Sequence, residues 1–408
     1  MHICLMTRTT LEHSVKGGME HHADIVCRGL AARGHRITAI TTQHPQGHAE
    51  IRTPSVRTIF LPHSADRAYA TTWWRESALA FARLHGEDPV DIIWSQENGA
   101  YGVLSRAATG DVPCVAILHG TPWGDWRGKR REWGVSPASL ARMARFTLRT
   151  LLFHRRFRAT CRRADAVICV SPQLAEDALR DFRLRPEVVE VIPNGVDADE
   201  FAPDDAARKT LRARLGISEG DLALLTAGRL ERAKGHHLAF QVAAMLLQQG
   251  LPVRVIVAGG GPDGNWLRQQ AAAFGLAERV HWLGRVPREE MPAVYNASDV
   301  FLMLSVRTEA FPYAVVEAMS CARPVVASRV GGVPSAITHG QDGVLVSPGD
   351  VRDAAQKANL LLRDGERRGA IGHAARQTVL EQFTIDTMTA RTEAVFLRHA
   401  GSRREPDR

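Results

Sequence analysis

No run of about 18 apolar residues occurs in the 408-residue chain, so the sequence offers no membrane-spanning helix. Cysteine is scarce. The six cysteines, at 4, 27, 114, 161, 169 and 321, form no Cys-x-x-Cys pair, which excludes a zinc ribbon and a disulfide framework and leaves reduced, buried thiols as the expectation. The start, Met1 to Met6, lacks a basic leader, a long apolar segment and a cleavage site. It reads as a first strand, and the protein is expected in the cytosol. Acidic residues are nearly missing from one segment: Arg127 to Arg163 holds 12 Lys or Arg against the single acid Glu132. The remainder is close to neutral although the chain carries +8. The basic character is therefore local, which argues against general nucleic-acid binding and for a local anionic partner.

With 45% apolar and 24% charged residues, a chain of this length reads as a globular protein of two domains. Short apolar runs alternate with amphipathic segments, the pattern of parallel sheets wrapped by helices. In the first half, strands are expected at His2 to Met6, Arg36 to Thr41, Asp91 to Trp94, Cys114 to Leu118 and Ala166 to Val170. In the second they are expected near Leu222 to Ala227, Val253 to Ala258, Val280 to Leu283, Val300 to Leu304 and Pro324 to Ser328. Between the sets, Val191-Ile192-Pro193-Asn194-Gly195-Val196-Asp197 has the turn chemistry of a boundary. The charged tail from Gly401 to Arg408 is expected to be disordered.

Several loops carry candidate chemistry. After the first strand, Gly17 and Gly18 open a helix, an arrangement that can receive an anion on backbone N–H groups. His119 ends a strand at the carboxyl edge of the first sheet, where open α/β folds bind ligands. In the second half, Gly228-Arg229-Leu230-Glu231-Arg232-Ala233-Lys234-Gly235 places two cations on a glycine-bounded loop. That suits a diphosphate. Gly259-Gly260-Gly261-Pro262-Asp263-Gly264 satisfies G-x-G-x-x-G literally, but Pro262 and its place after the second strand of its half argue against a dinucleotide fingerprint. Asp197-Ala198-Asp199 lies in the junction and reads as solvated linker; no metal site and no cofactor is expected.

The densest stretch runs from Arg307 to Met319, with Glu309 on a loop and Glu317 on the following helix, and Pro312 suited to that helix's first turn. It continues through Cys321 to Ser328, Gly331-Gly332-Val333-Pro334 and Asp342 to Val346. This order resembles the nucleotide-sugar signature of glycosyltransferase family four, the retaining enzymes of GT-B fold.

The resemblance implies two Rossmann-like, doubly wound α/β domains facing across a cleft. The first would be an acceptor-side domain, 1–192, and the second a nucleotide-sugar domain, 196–382; a final helix, about 383–400, would cross back to the first. It also implies roles. Arg229 and Lys234 would grip the donor diphosphate, with Gly17 and Gly18 facing it; Gly284 and Val286 would read the nucleobase through their backbone. Glu309 would hold hydroxyls of the transferred sugar, His119 would approach that sugar, and Glu317 would hold the ribose. Ala310 departs from the Gly or Pro common after the first glutamate, and Ser335 stands where many members have Glu. The Phe311-Pro312 variant is similar to members using UDP-hexoses or UDP-hexosamines, so UDP is the expected carrier. The acceptor depends on the loops Thr7 to Lys16, Gln96 to Tyr101 and Thr121 to Trp133. Two competing functions, a nucleotide-sugar epimerase and a non-catalytic nucleotide-sugar-binding subunit, are separable by incubation with donor alone and with acceptors.

One further expectation concerns the basic segment. At about 100° per residue, Arg142, Arg145, Arg149, Arg156 and Arg163 form one stripe with Phe146, Phe153 and Phe157 beside it. Leu140, Ala144, Leu148 and Leu151 point the other way. The expectation is that the leucines pack on the domain and the Arg-Phe edge meets an anionic membrane surface on the cytoplasmic side, which would suit a lipid-linked acceptor.

Overall fold

The computed structural model describes residues 1–13, 17–67, 69, 71–105, 111–130 and 137–401; the side chains of 130, 137–139 and 401 are not described. Lys16 with the end of its loop, Arg131 to Trp133, and the tail 402–408 lie outside the described residues. The chain divides into two units, Met1–Asn194 with Ile385–Arg408, and Gly195–Thr384.

The first unit is built on eight strands: β1 (His2–Met6), β2 (Arg36–Thr41), β3 (Glu50–Arg52), β4 (Arg57–Phe60), β5 (Ile92–Gln96), β6 (Cys114–Leu118), β7 (Ala166–Cys169) and β8 (Val189–Val191). Their order is β3-β4-β2-β1-β5-β6-β7-β8, and only the β3–β4 pair is antiparallel. The central strands β1, β5, β6 and β7 are buried throughout, as apolar runs covered by helices on both faces must be. The sequence did not announce β3, β4 and β8. Each is three or four residues long and at most half-buried in pattern, so none shows an apolar run.

The C-terminal helix Ile385–Gly401 belongs to this unit. Phe396 is fully buried and its ring lies 6.0 Å from Trp94 of β5. Glu393 accepts from Arg33 (3.1 Å) and meets His35 Nε2 at 2.6 Å. Gly29 has no room for a side chain there, because a Cβ would lie 2.5 Å from Thr389 Oγ1.

The second unit has six parallel strands: β9 (Leu222–Ala227), β10 (Val253–Ala258), β11 (Val280–Gly284), β12 (Val300–Met303), β13 (Val325–Ser328) and β14 (Val344–Val346). The order is β11-β10-β9-β12-β13-β14, so the winding reverses between β9 and β12. In open sheets that reversal parts the loops at the carboxyl ends of the two strands and leaves a crevice for ligand. The loops in question are 228–235 after β9 and 304–312 after β12. Their chemistry is therefore brought together by topology.

Asp197-Ala198-Asp199 forms a surface turn after the unit boundary, in which Asp197 Oδ1 accepts from the N–H of Asp199 and of Glu200. The expected orientation of the helix Pro137–Arg163 requires correction. Its leucine face is exposed (Leu148 is 62% accessible), whereas the phenylalanine side turns inward. Phe157 is buried and stacks on Phe182 at 6.1 Å, and the Arg156 guanidinium lies 5.3 Å over Trp74. Sequence periodicity finds the faces of a helix but not which face its neighbours cover; here Trp74 and Phe182 supply aromatic surface that only the phenylalanine side matches.

Candidate functional site

Glu309 is held from three directions. Lys234 Nζ donates to both carboxylate oxygens, at 2.9 and 2.8 Å, and Ser305 Oγ donates to Oε1 at 2.8 Å. Arg307 adds an ion pair at 3.8 Å. The side chain is nearly buried, at 9%, while the lysine remains a quarter exposed. Burying a carboxylate is tolerable only with such partners. The loop itself is shaped by close backbone packing. Gly332 donates to the Glu309 carbonyl at 2.7 Å, and a Cβ on Gly331, whose φ is +50°, would lie 2.0 Å from that oxygen. On the other side Gly235, at φ +74°, passes the Leu304 carbonyl so closely that a Cβ would sit 1.9 Å from it.

Glu317, on the helix Tyr313–Ser320, is likewise gripped: Arg288 donates to Oε1 and the Tyr295 hydroxyl to Oε2, both at 2.7 Å. Pro312 precedes this helix as its cap and does not lie in the first turn. The second terminal nitrogen of Arg288 is buried and has no partner. A donor is thus left unused beside a carboxylate with lone pairs to spare.

Arg229 is mostly exposed and pairs with Glu231 at 3.0 Å, and Glu231 also receives Arg307 at 3.2 Å. The four cations Arg229, Lys234, Arg288 and Arg307 are all engaged by carboxylates that a more highly charged anion could replace. His236 backs the loop from below, with Nδ1 2.8 Å from Thr226 Oγ1 and Nε2 3.1 Å from the Arg229 carbonyl. Burial lowers its pKa to about 4, and Lys234 adds to the effect. A neutral imidazole therefore sits under the cationic loop.

The glycine-rich stretch after β10 supports the same loop. Gly260 accepts from the Leu230 N–H at 3.1 Å, Asp263 Oδ2 accepts from the Arg232 N–H at 2.9 Å, and a Cβ on Gly259 would lie 1.8 Å from the Gly228 carbonyl. Gly259 and Gly261 are thus accounted for by backbone meeting backbone, and Gly260 by the Arg285 side chain that lies over it. Gly284, at φ +67°, ends β11 and its carbonyl accepts from Gly259 at 2.7 Å. Leu283, Arg285, Val286 and Pro287 border a recess of about 500 Å³ in this unit.

In the first unit, His119 follows β6 and its Nε2 lies 2.7 Å from Gln96 Nε2 of β5. The amide and the ring share a hydrogen bond that fixes the orientation of the imidazole. Burial lowers the His119 pKa to about 4, and that of the adjoining His22, 4.6 Å away edge to face, also falls. Beside them Glu97 has a left-handed backbone at φ +55°; burial raises its pKa, with Arg8 opposing. At the helix Gly18–Ala32, the Gly17 N–H donates to Glu20 at 3.0 Å. An incoming anion would meet a carboxylate already on that amide.

Sequence reading did not pick out Ser305, Arg307, Glu231, Arg288, Tyr295 or Gln96. Arg307 and Glu231 were visible as charges near the expected loop. Arg288 and Tyr295 reach Glu317 from 29 and 22 residues away in sequence, and only the fold brings them there.

Two family models match the chain, Glycosyltransferase Family 4 over residues 16–200 and Glycosyl transferases group 1 over residues 207–378. A GDP-mannose-dependent alpha-(1-6)-phosphatidylinositol monomannoside mannosyltransferase of Mycolicibacterium smegmatis is 30% identical over 76% of this chain and 77% of its own. A D-inositol 3-phosphate glycosyltransferase of Stackebrandtia nassauensis is 34% identical over 60% of this chain and 57% of its own. Against such inositol phosphate enzymes the chain spans about half of their length. Among solved structures, sucrose-phosphate synthase from Thermosynechococcus elongatus superposes with a TM-score of 0.80 at 22% identity, covering 97% of this chain and 98% of that one. The chain belongs to glycosyltransferase family four and has the GT-B fold.

Proposed function

We propose that the protein transfers a hexose or N-acetylhexosamine from a nucleoside diphosphate sugar, with retention at the anomeric carbon, to a hydroxyl of a polyol or glycan acceptor. One observation carries this reading: the switch point of the second unit gathers Arg229, Lys234, Arg307 and the nearly buried Glu309 onto adjoining loops, and the helix that follows carries the nearly buried Glu317, gripped by Arg288 from the connection after β11. Arg229 and Lys234 are assigned the diphosphate, Glu317 with Arg288 the ribose, the Gly284 to Val286 backbone the base, and Glu309 the hydroxyls of the sugar. His119 is the first unit's residue for the transferred sugar, and the Gly17-Gly18 helix start its residues for the phosphates.

In this reading the acceptor oxygen bonds to the anomeric carbon as the bond to the phosphate oxygen breaks. The departing phosphate oxygen takes the acceptor proton on the same face, so no protein nucleophile is needed. Lys234 and Arg229 lower the barrier by neutralising charge that grows on the leaving group, a contribution of several kcal/mol. Transfer is expected to survive a chelator, because those cations do the work a metal does elsewhere. UDP is the proposed carrier, on the Phe311-Pro312 variant; GDP-mannose, named for the mannosyltransferase relative, is the competing donor.

The test offers UDP-glucose, UDP-N-acetylglucosamine and GDP-mannose, with EDTA present, and follows sugar release and product anomer by NMR. Release with retention from one donor, abolished in Glu309→Gln, is expected. Epimerised donor, or binding of every donor with no release even when polyol and glycan acceptors are supplied, would overturn the reading.

A further inference from the structure

The described residues include nine large apolar side chains that stand exposed, and four of them fall within one stretch of the Pro137–Arg163 helix. Leu140, Leu148, Leu151 and Leu152 are 51, 62, 44 and 52% accessible. Scattered single leucines on a surface need no explanation; a cluster on one face does. At about 100° per residue the four cover an arc of roughly 120°, and Arg145, Arg149 and Arg142 follow directly on its edge. All three arginines are exposed. From 137 to 163 the sequence has no acid at all.

The opposite side of the helix is spent on the fold. Thr150, Phe157, Thr160 and Cys161 are buried, and the His154 ring lies 5.5 Å from Phe182. The helix therefore cannot roll to hide its leucines without exposing that surface. The apolar face also extends onto the neighbouring helix Pro122–Arg130, where the Trp126 indole N–H donates to Thr147 at 2.8 Å. Trp126, Leu140, Ala144, Leu148 and Leu151 line an open depression of about 670 Å³ there.

We propose that this leucine and arginine face is a docking surface for an anionic lipid bilayer. The leucines would enter the boundary between headgroups and acyl chains, and Arg142, Arg145 and Arg149 would lie among the headgroup phosphates. Charge complementarity selects this occupant. A second copy of the chain would set one arginine row against another, and a nucleic acid would pair the arginines but leave the leucines in water. A bilayer satisfies both. The arginines of the earlier expectation are thereby divided: Arg142, Arg145 and Arg149 remain at the surface beside the leucines, Arg163 is exposed at the far end of the helix, and Arg156 is committed to Trp74. Read together with the proposed transferase activity, docking favours an acceptor carried on a lipid; the docking itself does not depend on that activity.

Vesicle flotation of the full chain separates the outcomes. Wild type is expected to float with vesicles containing a third phosphatidylglycerol, to release partly in high salt, and to stay behind with phosphatidylcholine alone. The pair Leu148→Ser with Leu152→Ser should lower partitioning about tenfold or more. Arg145→Glu with Arg149→Glu should abolish the preference for anionic lipid. Circular dichroism, and sugar release from donor in the absence of lipid, should match wild type in both variants, so that failure of docking and failure of the transferase reading remain distinguishable. Wild type left in the supernatant with anionic vesicles at low salt would overturn the proposal. So would unchanged flotation of the leucine pair, or a dimer in sedimentation that the leucine pair dissolves.

Discussion

Lys234 and Glu309 hold each other in the absence of substrate, and this pairing shapes what their replacement should do. Removing the lysine deletes a charge proposed for the diphosphate and also leaves a nearly buried carboxylate with fewer donors. Lys234→Ala is expected to lower kcat/KM by about 2 to 4 kcal/mol. Steady-state kinetics that match wild type would remove Lys234 from the site. Gln96 is a positioning residue by the same logic, because its amide holds the His119 ring through Nε2. Gln96→Leu should reduce kcat with donor KM little changed, and Gln96→Asn should restore part of it; a variant with unaltered kcat would show that the ring is held otherwise. His236 gives a prediction in pH. Its folded pKa, about 4, lies below the ordinary value of 6.5, so the unfolded chain binds the proton more readily. Stability is full above pH 6.5 and declines as pH falls toward 4, by up to about 3 kcal/mol from this residue. Melting temperatures of wild type and His236→Gln between pH 7 and 4 should converge on the acid side. Parallel curves would mean that folding leaves the imidazole's affinity for a proton unchanged.

Elements were legible where the sequence is regular. The buried runs of β1, β6 and β9 mark themselves, because a strand covered on both faces is mostly apolar, and β2 and β10 show the same burial around an Arg each. β3 pairs only with β4, the next strand in sequence, and is too short and too exposed to show an apolar run, whereas β8 and the outward leucine face of the Pro137–Arg163 helix depend on neighbours farther along the chain. The site followed the same division. Glu309, Arg229 and Lys234 stand in recognisable loops and Glu317 in the helix that follows one of them, but the partners of Glu317 come from the separate stretch after β11. Glycines divide in a way that mutation can test. Gly235 has positive φ and faces a carbonyl, so Gly235→Ala should cost at least about 2 kcal/mol and disturb both Lys234 and Glu309. Gly369 lies within the helix Gly365–Gln382 with open space around it, and Gly369→Ala should instead stabilise by about 0.5 to 1 kcal/mol. Thermal denaturation of the two variants checks both signs; equal effects would mean that packing at 235 is looser than its geometry implies.

At the scale of the molecule, each of the two units has hydrophobic packing of its own. The chain passes between them twice, at 194/195 and 384/385, and on the second unit's side the two passages are stitched together, with Val196 donating to the Phe383 carbonyl at 2.8 Å and bridging to Thr384. Units with their own cores can unfold in separate steps, and a ligand stabilises only the step that destroys its site. Every residue assigned to the ribose and the base, and both side chains assigned to the diphosphate, lie in Gly195–Thr384. A nucleoside diphosphate without its sugar should therefore raise the transition of the second unit, by about 2.7 kcal/mol at a hundred times its dissociation constant. Calorimetry with tryptophan fluorescence can tell the steps apart, since Trp73, Trp74 and Trp94 lie in the first unit and Trp266 and Trp282 in the second. In Lys234→Ala the shift should shrink, and in Leu148→Ser with Leu152→Ser it should stay whole. A nucleoside diphosphate that moved only the first unit's transition would place the donor site elsewhere in the fold and undo the assignments made to the Lys234 and Glu309 loops.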